Sequence, residues 1–323
     1  MYSIYSDLKL PVKINQFFQK VQIPLANNRL KKIINHVKPS QILSIYPEFF
    51  HLKSSFDVSN QLGIPNSIYF HDALYEGLFN SYLENSALEL QQQIFRKTKN
   101  IFVISDGLRD LFNEKYKTSS IILRHIYNGA QNTSFEEINN RQAFYCGSIY
   151  GINFNSLRRA SQALANEGYD FNISTITNYY YLLRKNIVKS KKQIKFIPEV
   201  SEFLSHLNKQ QILIVALDWP DESTIHKDEL STIFPTKMME YLSSGRPILA
   251  HCPENYFLAK FIINNSCGLV SSDPSIENLS HVLRKLNNSS LCKELGQNAI
   301  NSSSIFRGEN TSLLLYKTLN SSL

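Results

Sequence analysis

Cysteine is scarce and unpatterned in this chain. Its four residues, Cys146, Cys252, Cys267 and Cys292, form no C-x-x-C pair. That spacing argues against a disulfide framework or a zinc ribbon and leaves buried free thiols. No run of about twenty apolar residues occurs, which is the length a membrane-spanning helix needs. The opening Met1-Tyr2-Ser3-Ile4-Tyr5-Ser6-Asp7 lacks the apolar block of a signal peptide, so the expectation is a soluble, cytoplasmic protein. No repeat or low-complexity segment stands out, and no glycine precedes Gly63. The single tryptophan, Trp219, reads as a packing anchor. Sequons such as Asn132-Thr133-Ser134 and Asn172-Ile173-Ser174 are chance products of a chain rich in Asn and Ser.

What is present suffices for two domains. The chain has 323 residues, 43% of them hydrophobic, and a formal net charge of +7. Such a length splits readily into two cores. A basic surface attracts nucleic acid, anionic lipid or phosphorylated small molecules. The clusters Arg96-Lys97-Thr98-Lys99 and Lys189-Ser190-Lys191-Lys192 lack interleaved aromatics, so no nucleic-acid partner is expected. Each also reads as a solvated helix face.

Short apolar runs alternate with amphipathic stretches. Strands are predicted over 41–46, 66–70, 100–104 and 121–126, then over 143–147, 171–176, 193–197, 211–217, 247–250 and 268–270. Helical patterns fall over 155–167, 199–209 and 275–286. This alternation predicts an α/β protein with parallel sheets and helices on both faces. The polar, turn-rich stretch 128–141 is the natural linker between two doubly wound domains.

The most informative segment runs from Phe234 to Ala250: Phe-Pro-Thr-Lys-Met-Met-Glu-Tyr-Leu-Ser-Ser-Gly-Arg-Pro-Ile-Leu-Ala. Pro235 suits a first helical turn, Gly245 a left-handed cap, and Pro247 a stop. A helix start offers N–H groups and a positive dipole end to a phosphate. Glu240, one to two turns inside, is an acceptor for a ribose diol. The same residues also read as a capped amphipathic helix with a solvated glutamate.

This P-x-K-x-x-E-Y-x-x-x-G-x-P pattern resembles the donor-binding segment of GT-B glycosyltransferases, in particular their retaining, family-four-like group. Three further segments are similar to that family in the same order: Ile104-Ser105-Asp106-Gly107-Leu108, Arg124-His125-Ile126-Tyr127-Asn128-Gly129-Ala130 and Phe144-Tyr145-Cys146-Gly147-Ser148-Ile149. The resemblance implies two Rossmann-like doubly wound domains, at 1–140 and 141–307, with a terminal helix over 308–323 returning to the first. It implies an N-terminal domain incomplete at its start, because the glycine-rich opening of the family is missing. The departures continue inside the chain. Thr232 stands where many relatives carry a sugar-side glutamate, eight positions before Glu240. Gly147-Ser148-Ile149-Tyr150-Gly151 lacks the basic residue expected after the first glycine, with Arg158 and Arg159 only two turns into the next helix.

Carried over position by position, the resemblance implies Glu240 on the ribose of a nucleotide-sugar. Lys237 and the Pro235 and Thr236 backbone then lie near its phosphates, with Gly147 at the opening turn. Thr177, after the 171–176 strand, is a candidate nucleotide contact, though these residues read more readily as a plain strand-to-helix loop. Val200, after Phe196-Ile197-Pro198-Glu199, is a candidate apolar contact to the base. His71 and Asp72, at the end of the 66–70 strand, are candidate catalytic residues near sugar or acceptor, and Asp72 also reads as a helix cap. Asp218-Trp219-Pro220 opens a loop expected to be mobile. The implied activity is sugar transfer from a nucleotide-sugar, with retention, to a carbohydrate or lipid-linked acceptor for cell-envelope polysaccharide. No cofactor and no metal are expected, and peripheral contact with an anionic membrane is. The rival expectation is a non-catalytic relative that binds a nucleotide or a partner enzyme.

Overall fold

Parallel strands account for both sheets of the chain, and they fall into two separate units. The computed structural model describes residues 12–195 and 200–321. The first unit holds the described residues up to Leu123 together with Leu313 onward, and the second is Arg124–Ser312.

In the first unit, strands β1 (Ile42–Tyr46), β2 (Asn66–Phe70), β3 (Ile101–Val103) and β4 (Ile121–Ile122) pair in parallel in that order. Alternation along β2 sorts its two faces. Ile68 and Phe70 join Leu52 and Phe56 of the Phe49–Leu62 helix, Leu90 and Ile94 of the Glu84–Lys97 helix, and Phe112 of the Asp106–Tyr116 helix. Tyr69, with Phe102 of β3 and Leu123, meets Leu315 and Leu319 on the other face. Ser105 starts the Asp106–Tyr116 helix by accepting from the Leu108 N–H at 3.2 Å, as a serine at a helix start does. The strand expected over 121–126 is cut to two residues, although the Leu123 N–H still reaches the Val103 carbonyl at 2.8 Å.

The second unit carries β5 (Gln142–Cys146), β6 (Asp170–Ser174), β7 (Ile212–Ala216), β8 (Ile248–His251) and β9 (Gly268–Ser271), all parallel, in the order β6-β5-β7-β8-β9. The strand expected over 193–197 is a single parallel bridge, Ile194 to Ile173, beside β6. Residues 196–199 lie outside the described residues. Phe144, Leu213, Val215 and Ala250 face one layer, which contains the helices Met238–Ser244 and Phe257–Asn264. Tyr145, Ile173, Ile214 and Leu249 face the other, with helices Phe154–Asn166 and Ile276–Lys285. The order of strand addition reverses at β5, which pairs with β6 on one side and β7 on the other. Ligands in such sheets bind beyond the carboxyl ends of strands at that switch.

The stretch 124–141, expected to end the first domain and link it to the second, is built into the second unit. The Tyr127 N–H donates to the Phe306 carbonyl at 2.9 Å, and the Asn132 N–H to the Ser243 carbonyl at 2.9 Å. Asn132 Nδ2 reaches the Ser244 carbonyl at 2.7 Å. The division therefore falls at residues 123 and 312, with the Gly308–Asn320 helix running through the second boundary.

Candidate functional site

The end of β5 gathers the polar groups of the predicted segment. The helix expected from Pro235 begins at Met238 and ends at Ser244. Ahead of it, Pro235 and Thr236 form tight turns, their carbonyls accepting from Met238 N–H (2.9 Å) and Met239 N–H (3.3 Å). Gly245 closes the helix at φ 65°, as expected of a left-handed cap. The buried Tyr241 hydroxyl accepts the Cys146 N–H at 2.9 Å and so pins the helix to the end of β5.

That pin brings Cys146 within electrostatic reach of two charged groups, Lys237 and Glu240. The Lys237 ammonium lies 3.6 Å from the ring centroid of the fully buried Tyr145. It makes no hydrogen bond or ion pair with the described residues. Desolvation lowers its pKa to about 7. Gly147, at φ 125°, leaves room for it: a Cβ there would stand 3.2 Å from Nζ. Glu240 is the second charge. Its Oε2 is buried with no hydrogen-bond partner, and burial raises the carboxyl above its ordinary value. A buried oxygen without a donor is a rare feature of folded proteins and points to a group that binds there.

The other predicted residues take different places. The Thr177 hydroxyl accepts the Ile149 N–H at 3.1 Å, donates to the Ile149 carbonyl at 3.2 Å, and meets the Thr175 hydroxyl at 3.1 Å. Its hydrogen-bonding capacity is thus spent on joining the loop after β6 to the loop after β5. Val200 opens the Val200–Asn208 helix, and the contact expected of its side chain lies outside what is described. His71 and Asp72 are on the loop after β2 in the first unit. The His71 ring meets the Tyr69 ring edge-on at 4.4 Å between centroids. Asp72 is exposed and does not cap the next helix, whose cap position is Ala73. Thr232 is buried and donates to the Glu229 carbonyl at 2.9 Å.

Beyond β7 the sequence reading missed a network. Asp218 is 1% exposed, and its carboxylate accepts from the Ser156 N–H (2.7 Å) and the Asn155 N–H (3.2 Å), capping the Phe154–Asn166 helix. Arg159, inside that helix, holds Glu222 through two bonds of 2.6 and 2.8 Å. Its Nε donates to His251 Nε2 at 3.0 Å, while His251 Nδ1 faces the Ser271 carbonyl at 3.1 Å. The imidazole is therefore neutral with its proton on Nδ1, and its pKa is pushed down to about 4, chiefly by burial. The guanidinium also stacks 4.9 Å from the Trp219 ring. With Ser223 Oγ donating to the Gly151 carbonyl at 2.6 Å, the loop expected to be mobile is fastened at several points. Among the described residues no group of three or more His, Cys, Asp or Glu is placed to hold a metal ion. Nor is any helix among them long and apolar enough to cross a membrane.

Solved structures with this architecture confirm the fold. A sucrose-phosphate synthase from Thermosynechococcus elongatus matches with a TM-score of 0.68 at 12% identity over 95% of this chain and 80% of that one. S. aureus TarM, in complex with fondaparinux, alpha-GlcNAc-glycerol and UDP, matches with 0.65 at 15% identity over 92% of this chain. This chain covers only 58% of that TarM chain. Anabaena HepE in complex with UDP-glucose matches with 0.64 at 14% identity over 86% and 78% of the two chains. No protein-family model matches the sequence, and no curated protein matches it either. The chain therefore has the α/β architecture of GT-B proteins, with Rossmann-like parallel sheets.

Proposed function

We propose that the chain is a GT-B glycosyltransferase that binds a nucleotide-sugar in its second unit and transfers the sugar to a carbohydrate or lipid-linked acceptor. One observation carries this: Glu240 Oε2 is buried without a donor, and the Lys237 ammonium, which like Glu240 acts on Cys146, is desolvated with no acidic partner among the described residues. A ribose diol supplies the missing donors and a phosphate supplies the missing charge, so one nucleotide answers both vacant valences. The UDP and UDP-glucose in the TarM and HepE structures support that choice of ligand. Retention of the donor's anomeric configuration, metal-independent turnover and a role in cell-envelope polysaccharide belong to the same proposal. So does work in the cytoplasm at an anionic membrane face, to which the net charge of +7 lends support.

A second function, nucleotide binding without turnover as a partner subunit, is favoured by one feature. The start of the Phe154–Asn166 helix, a natural phosphate position, is capped by the chain's own Asp218. Incubation with UDP- and GDP-sugars, read by calorimetry for binding and by nucleotide release for turnover, separates the two. Binding with release and sugar transfer to an added acceptor supports the enzyme. Binding without either supports the partner subunit, and no binding at all sinks both.

A further inference from the structure

Three cationic groups stand near the carboxyl end of β5 or a turn into the helix that follows, and they differ in what holds them. Arg159 is held by Glu222 and His251. Arg158 is exposed on the same helix. Lys237 has no acidic partner among the described residues and, unlike the exposed Arg158, is held on the face of the Tyr145 ring. That ring joins it to the helix start. The Tyr145 hydroxyl donates to the Ser148 carbonyl at 2.9 Å and accepts from Asn153 Nδ2 at 2.9 Å, and Asn153 is the cap residue of the Phe154–Asn166 helix.

The first N–H groups of this thirteen-residue helix are where a doubly wound sheet ordinarily presents an anion site. Here they are already satisfied. Both Asp218 carboxylate oxygens are engaged, by Asn155 N–H and Ser156 N–H, and Ser156 Oγ donates to the Leu217 carbonyl at 2.9 Å. The Asp218 backbone is fixed as well: its N–H reaches the Ile152 carbonyl at 2.7 Å, and its own carbonyl accepts from the Tyr256 hydroxyl at 3.1 Å. An aspartate anchored at four points and 1% exposed does not swing aside for a ligand.

We infer that Asp218 is a built-in occupant of the phosphate position at the start of the Phe154–Asn166 helix, so that Lys237, and not the helix start, meets the phosphoryl charge of a bound nucleotide. Asp218 is then a specificity-determining residue: it repels a second phosphoryl group and narrows the preference for nucleoside diphosphates over nucleosides. The inference rests on the nucleotide-binding function proposed above.

Calorimetry with uridine, UMP and UDP, and with the guanosine series, tests it on the full chain. In the wild type the diphosphate is expected to bind only about tenfold more tightly than its nucleoside, the increment of one charge-assisted contact. Asp218→Asn keeps an acceptor for the helix start and removes the charge. It is expected to raise diphosphate affinity by roughly three- to tenfold and to leave nucleoside affinity unchanged. Lys237→Met, which alters no helix cap bond, is expected to make diphosphate and nucleoside bind alike. Asp218→Ser, a second cap-compatible variant, repeats the Asn test if Asp218→Asn fails to fold. An unchanged diphosphate-to-nucleoside ratio in the folded Asp218 variant, or a ratio that survives Lys237→Met, overturns the inference while leaving nucleotide binding standing. Failure of every nucleoside and nucleotide to bind the wild type overturns nucleotide binding, and the inference with it.

Discussion

The Glu240 carboxylate, with one oxygen buried and undonated, is the most exacting residue of the chain. Glu240→Gln keeps the shape and loses the charge assistance, the difference between bonds of about 1 kcal/mol and roughly 1.5–3 kcal/mol. Nucleotide affinity measured by calorimetry is expected to fall by about tenfold. Lys237 carries the pH dependence. Its pKa of about 7 means the ammonium is lost as pH rises through neutrality, so phosphate binding is expected to weaken between about pH 7 and 9, where the nucleotide itself stays fully ionised. Cys146 and Tyr145 are the titratable groups shown around it, and the thiol is itself raised by burial. Titrations of UDP and uridine at successive pH values check this, since only the diphosphate is expected to respond. The Met238–Ser244 helix and its Gly245 cap were legible because helix punctuation is local in sequence. Tyr145 under the ammonium and Asp218 at the helix start were not, since each meets its partner only through pairing between distant strands.

At the scale of elements, two glycines set the position of the Met238–Ser244 helix. A Cβ on Gly245 would meet Ile300 Cδ1 at 2.6 Å, and one on Gly296 would meet the Gly245 carbonyl at 2.4 Å. Gly245→Ala adds a left-handed alanine to that crowding and is expected to destabilise the second unit by roughly 1–3 kcal/mol, read as a lower urea midpoint. The loop after β7 depends on the Arg159–Glu222 pair. Glu222 keeps 24% of its side chain exposed, so Glu222→Ala is expected to cost on the order of 2 kcal/mol, less than a fully enclosed pair. Arg159 holds the Glu222 carboxyl below its ordinary 4.5. This contribution is therefore present above pH 4.5 and is lost on acidification through the lower folded value. Acid unfolding of wild type and Glu222→Ala is expected to converge at low pH. The loop read as mobile from Asp218-Trp219-Pro220 because turn residues alone carry no information about Arg159, some sixty positions earlier. The described part of the 193–197 run forms one bridge for a related reason: a run at a sheet edge has a partner on one side only.

For the whole molecule, periodicity was enough to read two parallel sheets, because buried parallel strands show as short apolar runs between helices. The position of the division was less legible. The polar 124–141 stretch looks like a linker, yet Tyr127 and Asn132 tie it to the second unit through backbone bonds that composition does not encode. The proposed activity rests on two groups of that second unit, the undonated Glu240 carboxylate and the Lys237 ammonium. The most direct measurement is the calorimetric affinity for UDP and GDP of the wild type beside Glu240→Ala, with thermal unfolding of both as the control. A nucleotide affinity that falls by more than tenfold in Glu240→Ala, at nearly unchanged unfolding temperature, is the predicted result. Equal affinity in the two proteins would contradict the account and make the Met238–Ser244 helix structural alone.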